Sequence, residues 1–199
     1  MIVIGVAGGI ASGKSTVCQV FEGLGGVVIN ADRIGHEILD LPGIQETLIQ
    51  AFGRQICRSD STIDRKILGG IVFRDPLSRS RLDAIVHPAL VAKIHKRIAE
   101  LRVTDNVEVV IVDAALIVEW DEIDMVDTLL VLTAPESKRV EWLAARNDLT
   151  TDEGLQRISS QLTDEARCQS ADHVLMNNGT VEELKAKAGD LWNRIVANQ

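Results

Sequence analysis

A glycine-rich segment near the start of the chain constrains its fold more than any other feature. Residues 8–15 read Gly-Gly-Ile-Ala-Ser-Gly-Lys-Ser and match the pattern G-x-x-x-x-G-K-[ST] in full. A β-branched apolar run, residues 2–7, precedes the segment, and an amphipathic stretch with Val17, Phe21 and Leu24 on one face follows it. This order of strand, glycine turn and helix predicts a phosphate-binding loop in an α/β protein.

Each part of the loop has a physical task. Glycines let the backbone wrap closely around phosphate oxygens, with successive N–H groups pointing inward. Lys14 supplies a positive charge for the β- and γ-phosphates, and the Ser15 hydroxyl is placed to bind Mg²⁺. The motif therefore predicts ATP with Mg²⁺ as the ligand, although a glycine turn that only joins strand to helix is the alternative. The predicted nucleotide contacts are Gly8, Gly9, Ile10, Ala11, Ser12, Gly13, Lys14, Ser15 and Thr16.

Charge and composition exclude several classes of partner. The net charge of −8, with three Trp, three Phe and no Tyr, argues against a protein that binds nucleic acid. The apolar stretch 107–118 is interrupted by Glu108 and Asp113 and is too short to span a bilayer, so we expect no membrane partner. The three cysteines have no paired spacing, which predicts reduced thiols in a cytoplasmic protein.

Alternating apolar segments predict the rest of the architecture. Further strands are expected at residues 27–29, 108–112, 128–132 and 173–176, and an amphipathic helix closes the chain. Strands that alternate with helices favour a parallel sheet covered on both faces. Residues 33–105 contain no convincing strand and predict an inserted helical lobe, with one helix that begins at Pro88. Residues 137–168, called the lid segment below, have the composition of a mobile helical flap.

Two carboxylates follow strands of the predicted sheet. Asp32 lies just past the second strand, and Asp113 ends the apolar run 109–112. Because ligands of open α/β sheets bind at the carboxyl ends of strands, both are candidate site residues, with Asp113 near the metal. Two alternatives remain: Asp32 as the N-cap of the next helix, and Asp113 as a polar strand end.

Basic side chains are further candidates. The lid segment contains Arg139, Arg146, Arg157 and Arg167, which form either a solvated face or a clamp that closes over the transferred phosphate. His87, before Pro88, is either a substrate contact or part of a loop before a helix.

In its motifs the chain resembles the dephospho-CoA kinases, which perform the last step of coenzyme A synthesis. The resemblance covers nearly the whole length and depends on the order and spacing of the motifs. These are the loop from Gly8 to Thr16, Asn30-Ala31-Asp32, Asp64-Arg65 with Val72-Phe73, His87-Pro88, Arg157-Ile158-Ser159-Ser160-Gln161, Ala171-Asp172-His173-Val174 and Asn177-Asn178-Gly179.

The resemblance implies a fold and a division of the chain. The fold is a three-layer α/β P-loop kinase fold with a five-stranded parallel sheet in the order 2-3-1-4-5. Residues 1–32, 106–136 and 169–199 would form the nucleotide-binding core of a single domain, residues 33–105 the acceptor-binding lobe, and residues 137–168 the lid.

It also implies an activity and residue roles. The ATP γ-phosphate would pass to the ribose 3′-hydroxyl of dephospho-CoA, and a monomer is favoured. Asp32 would accept the hydroxyl proton, Lys14, Arg139 and Arg146 would stabilise the phosphoryl group, and Ser15 and Asp113 would hold the metal. Arg65 and His87 would contact the acceptor together with Asp32.

The chain also departs from the family pattern. The family loop usually begins Thr-Gly-Gly-Ile-Gly, whereas Ala7 and Ala11 replace the threonine and the later glycine here. Asn30 replaces the first aspartate of an Asp-Ala-Asp motif, and Trp142 stands where many members have arginine.

Other functions remain possible from the sequence. Another small-molecule or nucleotide kinase would use the same loop with a different acceptor. A regulatory GTPase would usually carry Asn-Lys-x-Asp on a later strand, and this chain has no such tetrapeptide. A protein that binds a nucleotide without catalysis is the third alternative.

Overall fold

The computed structural model of the chain describes residues 1–72, 74–147 and 150–197, with all their side chains except those of Arg146 and Asn147. Phe73, which belongs to one of the family motifs, therefore lies outside the described residues. The chain divides into two compact units, Met1–Asn30 with Ile98–Gln199, and Ala31–Arg97.

The first unit is built on a five-stranded parallel sheet in the order β2-β3-β1-β4-β5, which confirms the expected order. Its register places Asp113, at the end of β3, opposite Val6 of β1 and Asn30 of β2. The carboxyl ends of the three strands therefore meet at one edge of the sheet. The strands are β1 Ile2–Gly8, β2 Val27–Asn30, β3 Val109–Asp113, β4 Thr128–Thr133 and β5 His173–Met176.

Burial of the strands follows their place in the sheet. The three central strands β3, β1 and β4 are almost fully buried, as expected for apolar runs covered on both faces. β5 lies at the edge, and only Leu175 is buried there, whereas Val174 and Met176 are about half exposed. The fifth strand predicted from the sequence is therefore present, but its side chains are not enclosed like those of the central strands.

Helices α1, Lys14–Gly23, and α9, Val181–Ala197, pack together against one face of the sheet. The Phe21 and Trp192 rings lie with their centroids 5.3 Å apart in this core, next to strand residues such as Ile4 and Leu130. Burial of such side chains is the main source of stability. The core therefore fixes the start of α1, where the glycine-rich loop ends.

The second unit is helical. It contains α2 Ala31–Leu39, α3 Pro42–Phe52, α4 Arg65–Val72 and most of α5, which runs from Pro76 to Arg102. In the described part of residues 33–105, strand-like pairing is limited to an isolated bridge between Cys57 and Ile63. The hydrophobic core of this unit includes Leu48, Phe52, Ile56, Ile63, Leu68 and Val72.

The prediction that a helix begins at Pro88 is wrong. α5 begins at Pro76, and Pro88 lies inside it. Asp75 caps this start, since its carboxylate accepts hydrogen bonds from the Ser78 backbone N–H at 2.9 Å and the Ser78 hydroxyl at 2.6 Å. Proline is favoured in the first turn of a helix, and the sequence offered two prolines for that position.

The lid segment is covered by α6 Glu136–Asn147, α7 Thr151–Ser159 and α8 Asp164–Cys168. α7 begins with a capping box between Thr150 and Glu153. Leu143 and Ile158 are buried within the same unit, so these helices have apolar anchors. In the described part of the chain, no helix combines the length and the apolar character needed to cross a membrane.

Candidate active site

The glycine-rich loop connects β1 to α1 and has an unusual backbone. Gly13, the N-cap of α1, has φ = 99°, and a Cβ there would come within 2.8 Å of Leu184 Cδ2. Ala11 has φ = 61°, a left-handed conformation that glycine adopts more easily than alanine. The first N–H groups of α1 follow directly, and such groups bind anions because they lack partners within the helix.

Lys14 and Asp113 meet at the carboxyl end of the sheet. Lys14 Nζ donates to Asp113 Oδ1, and Asn30 Nδ2 donates to Asp113 Oδ2 at 2.7 Å. Asp113 is only 6% exposed, so these two donors compensate a negative charge that is buried away from water. The register that aligns β1, β2 and β3 brings the three residues together.

The donor chemistry next to this pair suits magnesium. Ser15 is exposed in the first turn of α1, and the Asp113 carboxylate lies beside Lys14. Mg²⁺ binds oxygen ligands, often with one or two from the protein and the rest from phosphate and water. Within the described residues no cluster of three His, Cys, Asp or Glu could hold a metal by itself. The Ser15 hydroxyl and the Asp113 carboxylate are oxygen donors of the kind that Mg²⁺ prefers.

Cys18 lies one turn beyond Lys14 on α1 and is buried. Burial, together with the nearby Asp113 carboxylate, raises the pKa of this thiol to about 12. The folded protein therefore holds the thiol proton more tightly than the unfolded chain does. This stabilisation is present below the ordinary thiol pKa and is lost as the pH rises toward about 12.

Iodoacetamide should consequently leave Cys18 unmodified in the native protein at pH 8, because the thiolate is the reactive form. Mass spectrometry of peptides would measure labelling at Cys18, Cys57 and Cys168, all of which are free of disulfides. Protein unfolded in urea is the control and should be labelled at all three positions. Rapid labelling of native Cys18 would contradict the assigned pKa.

The lid segment holds the loop through Ile10. Arg139 Nε donates to the Ile10 carbonyl oxygen at 2.8 Å, and the Ile10 N–H donates to Gln161 Oε1 at 2.7 Å. The Arg139 guanidinium also lies against Gly9, where an added Cβ would overlap it. Burial lowers the pKa of Arg139, although the nearby Asp164 carboxylate opposes this change. Arg139 is therefore a buried contact of the loop.

A second buried arginine extends this network. Arg167 is fully buried and pairs with Glu119 and, at 3.3 Å, with Asp164. Asp164 also accepts from Arg139 at 3.3 Å, so one carboxylate joins the two guanidinium groups. The interpretation of the lid arginines as a solvated face is wrong for Arg139 and Arg167, because both are paired with carboxylates inside the protein.

A cavity of about 630 Å³ lies next to the loop. Its wall includes Ala11 and Gly13 of the loop, Trp142 and Arg157 of the lid segment, and Asn177. Asn177 follows β5, is 7% exposed and donates from Nδ2 to the Ser12 carbonyl oxygen at 3.1 Å. The cavity therefore combines an aromatic wall with the polar backbone of the loop.

Three of the remaining predicted site residues, Asp32, Arg65 and His87, belong to the second unit. Asp32 is exposed in the first turn of α2, which begins at Ala31, so the alternative that Asp32 is the N-cap is wrong. Arg65 begins α4 and pairs with Asp40 at 3.1 Å. His87 is half-buried inside α5, so the alternative that it belongs to a loop before a helix is wrong. The Arg146 side chain lies outside the described residues.

Several residues of the site had no assigned role in the sequence analysis. Asn30, Gln161 and Asn177 appeared there only as parts of family motifs, and Glu119 was not a candidate. Their contacts join residues far apart in the chain, such as Ile10 and Gln161. A polar residue directly after a predicted strand was an available signal, and it applies to Asn30 and Asn177.

The sheet order, the loop after β1 and the lysine at the carboxyl ends of the strands define a P-loop kinase fold. A family model described as dephospho-CoA kinase matches residues 2–183. The dephospho-CoA kinase of Geobacter sulfurreducens is 41% identical over 194 residues, which cover 96% of this chain and 98% of that protein. The chain belongs to the dephospho-CoA kinase family.

Solved structures agree with this assignment. Dephospho-CoA kinase from Campylobacter jejuni matches with a TM-score of 0.73 and 26% identity, covering 98% of each chain. A shikimate kinase from Acinetobacter baumannii matches with a TM-score of 0.56 at 15% identity, covering 100% of this chain and 95% of that chain. The similarity to the shikimate kinase concerns the fold alone.

Proposed function

We propose that this chain transfers the γ-phosphate of ATP to the ribose 3′-hydroxyl of dephospho-CoA, giving CoA and ADP. The observation that supports this most strongly is family membership across residues 2–183 together with an intact G-x-x-x-x-G-K-[ST] loop. Phosphoryl transfer requires mainly positioning and charge stabilisation, which this loop can provide.

The donor side of the site consists of the loop and its neighbours. Backbone N–H groups at the start of α1 would bind phosphate oxygens, and Lys14 would turn from Asp113 toward the β- and γ-phosphates. Ser15 and Asp113 would hold Mg²⁺, which supplies charge neutralisation for the phosphates when bound. Asn30, already bonded to Asp113, would keep that carboxylate oriented when Lys14 leaves.

The acceptor side of the proposal involves the helical lobe, residues 33–105. Asp32 would accept the proton of the 3′-hydroxyl, and Arg65 and His87 would contact the acceptor. Arg139 and Arg146 of the lid segment would stabilise charge on the transferred group. We further propose a monomeric cytoplasmic enzyme without a nucleic-acid or membrane partner, which agrees with the net charge of −8.

An acceptor panel tests this proposal. ADP release should rise sharply with dephospho-CoA and hardly at all with nucleosides, nucleoside monophosphates or shikimate. The reason is that the chain belongs to the dephospho-CoA kinase family. A coupled assay for ADP measures this, and reactions without acceptor give the background of ATP hydrolysis. Equal or greater turnover with a nucleoside monophosphate would identify another small-molecule kinase instead.

A further inference from the structure

We infer that Gln161 is a positioning residue that keeps the phosphate-binding loop in its ATP-receiving conformation. The inference depends on the proposed function, since it assigns the loop to ATP. It concerns a residue outside the loop, in the turn after α7, which accepts a hydrogen bond from the Ile10 backbone. Gln161 would act on ATP binding through the shape of the loop.

The loop needs such a contact because it contains a strained residue. Ala11 follows Ile10 and has φ = 61°. Residues other than glycine disfavour this left-handed region because their Cβ crowds the backbone. Inside the loop, the turn over Ile10 and Ala11 is closed by a hydrogen bond from the Ser12 N–H to the Gly9 carbonyl oxygen at 3.1 Å. Contacts from outside the loop would add to this bond in holding Ala11 at its left-handed φ value.

Both polar groups of the Ile10 backbone are bound by the lid segment. The N–H donates to Gln161 Oε1 at 2.7 Å, and the carbonyl oxygen accepts from Arg139 Nε at 2.8 Å. These bonds hold the peptide groups on both sides of Ile10, directly before the strained residue. Gln161 is half-buried, which limits the competition of water for its amide.

Arg139 and Gln161 hold different groups of the loop. Arg139 binds the Ile10 carbonyl oxygen and lies against Gly9, whereas Gln161 Oε1 accepts from the Ile10 N–H. The peptide between Gly9 and Ile10 is thus bound through its N–H by Gln161 and through its carbonyl oxygen by the Ser12 N–H of the loop. Arg139 is itself fixed by Asp164, which Arg167 also holds. Loss of Gln161 therefore leaves the arginine network intact and removes a single constraint on the loop.

The test replaces Gln161 by methionine, which keeps the length of the side chain but offers only a weak acceptor. Isothermal titration calorimetry with ATP, without acceptor, should show a Kd about tenfold higher, since relaxing one strained residue costs this order of affinity. The melting temperature and the KM for dephospho-CoA should stay near those of the natural chain. Gln156→Met, on the exposed face of α7, is the matched control and should leave the Kd unchanged.

The Ala11→Gly variant separates positioning from a general structural effect. Glycine adopts the left-handed conformation without strain, so Gln161→Met should raise the Kd less than threefold in this background. An unchanged Kd in the single variant, or an equal loss in both backgrounds, would overturn the inference. Normal ATP binding without turnover of dephospho-CoA would overturn the proposed function alone, and absence of ATP binding by the natural chain would overturn both.

Discussion

Asp32→Asn should lower kcat by about 10²- to 10⁴-fold, because an amide cannot accept the proton of the acceptor hydroxyl. The substitution keeps the size of the side chain. Asp32 is exposed in the first turn of α2, so the fold should tolerate the loss of its charge with a small change in melting temperature. ATP affinity should also remain nearly unchanged, since the proposed role concerns the acceptor.

The measurements that decide the role of Asp32 are kcat, the Kd for ATP and the melting temperature. Asp105→Asn, at an exposed position, is a matched control for the change from carboxylate to amide. If Asp32 serves only the helix start, the variant should retain its kcat. An active Asp32→Asn enzyme would therefore end the general-base hypothesis.

Lys14→Ala should lower the rate by about 10²- to 10³-fold, the usual effect of removing a group that stabilises charge in the transition state. The structure adds a second expected effect. Lys14 neutralises Asp113, which is 6% exposed, and loss of a partner from a buried ion pair costs about 3 kcal/mol or more. The variant should therefore also unfold at a lower urea concentration.

A double variant separates the two effects of Lys14. Lys14→Ala with Asp113→Asn removes the uncompensated charge, so stability should largely return. Activity should stay low, since the double variant lacks both the proposed phosphate-binding charge and a proposed Mg²⁺ ligand. Urea denaturation and coupled ADP release would measure both properties for the single and double variants. Recovery of activity together with stability would mean that Lys14 acts only through the fold, and near-normal turnover of Lys14→Ala would show that the loop is not the donor site.

Local patterns in the sequence determined much of the core. Short, mainly apolar runs predicted all five strands, and the amphipathic stretch after the loop forms a helix that begins at Lys14. The order of the strands came from the resemblance to a family and not from periodicity. These features are accessible because a buried central strand and a phosphate-binding loop each have a short, continuous signature.

The apolar pattern alone did not determine helix boundaries and strand exposure. Pro88 and Pro76 both suit the first turn of a helix, and Asp75, a favoured N-cap residue directly before Pro76, decided between them. β5 is apolar enough for the interior of a sheet, yet it lies at the edge because no further strand follows it in the sheet. Asp32 follows β2 closely, and the start of α2 at Ala31 placed it inside the helix.

The environment of the charged residues was decided by the tertiary structure alone. The sequence placed Arg139 and Arg167 in a polar, charge-rich segment, where arginine usually faces solvent. Both are buried because Asp164 and Glu119 supply compensating charge and the Ile10 carbonyl accepts a hydrogen bond. The sequence thus determined which residues could bind phosphate. Packing determined which residues hold the loop, because a buried arginine needs charged or polar partners, and several of these lie far away in the chain.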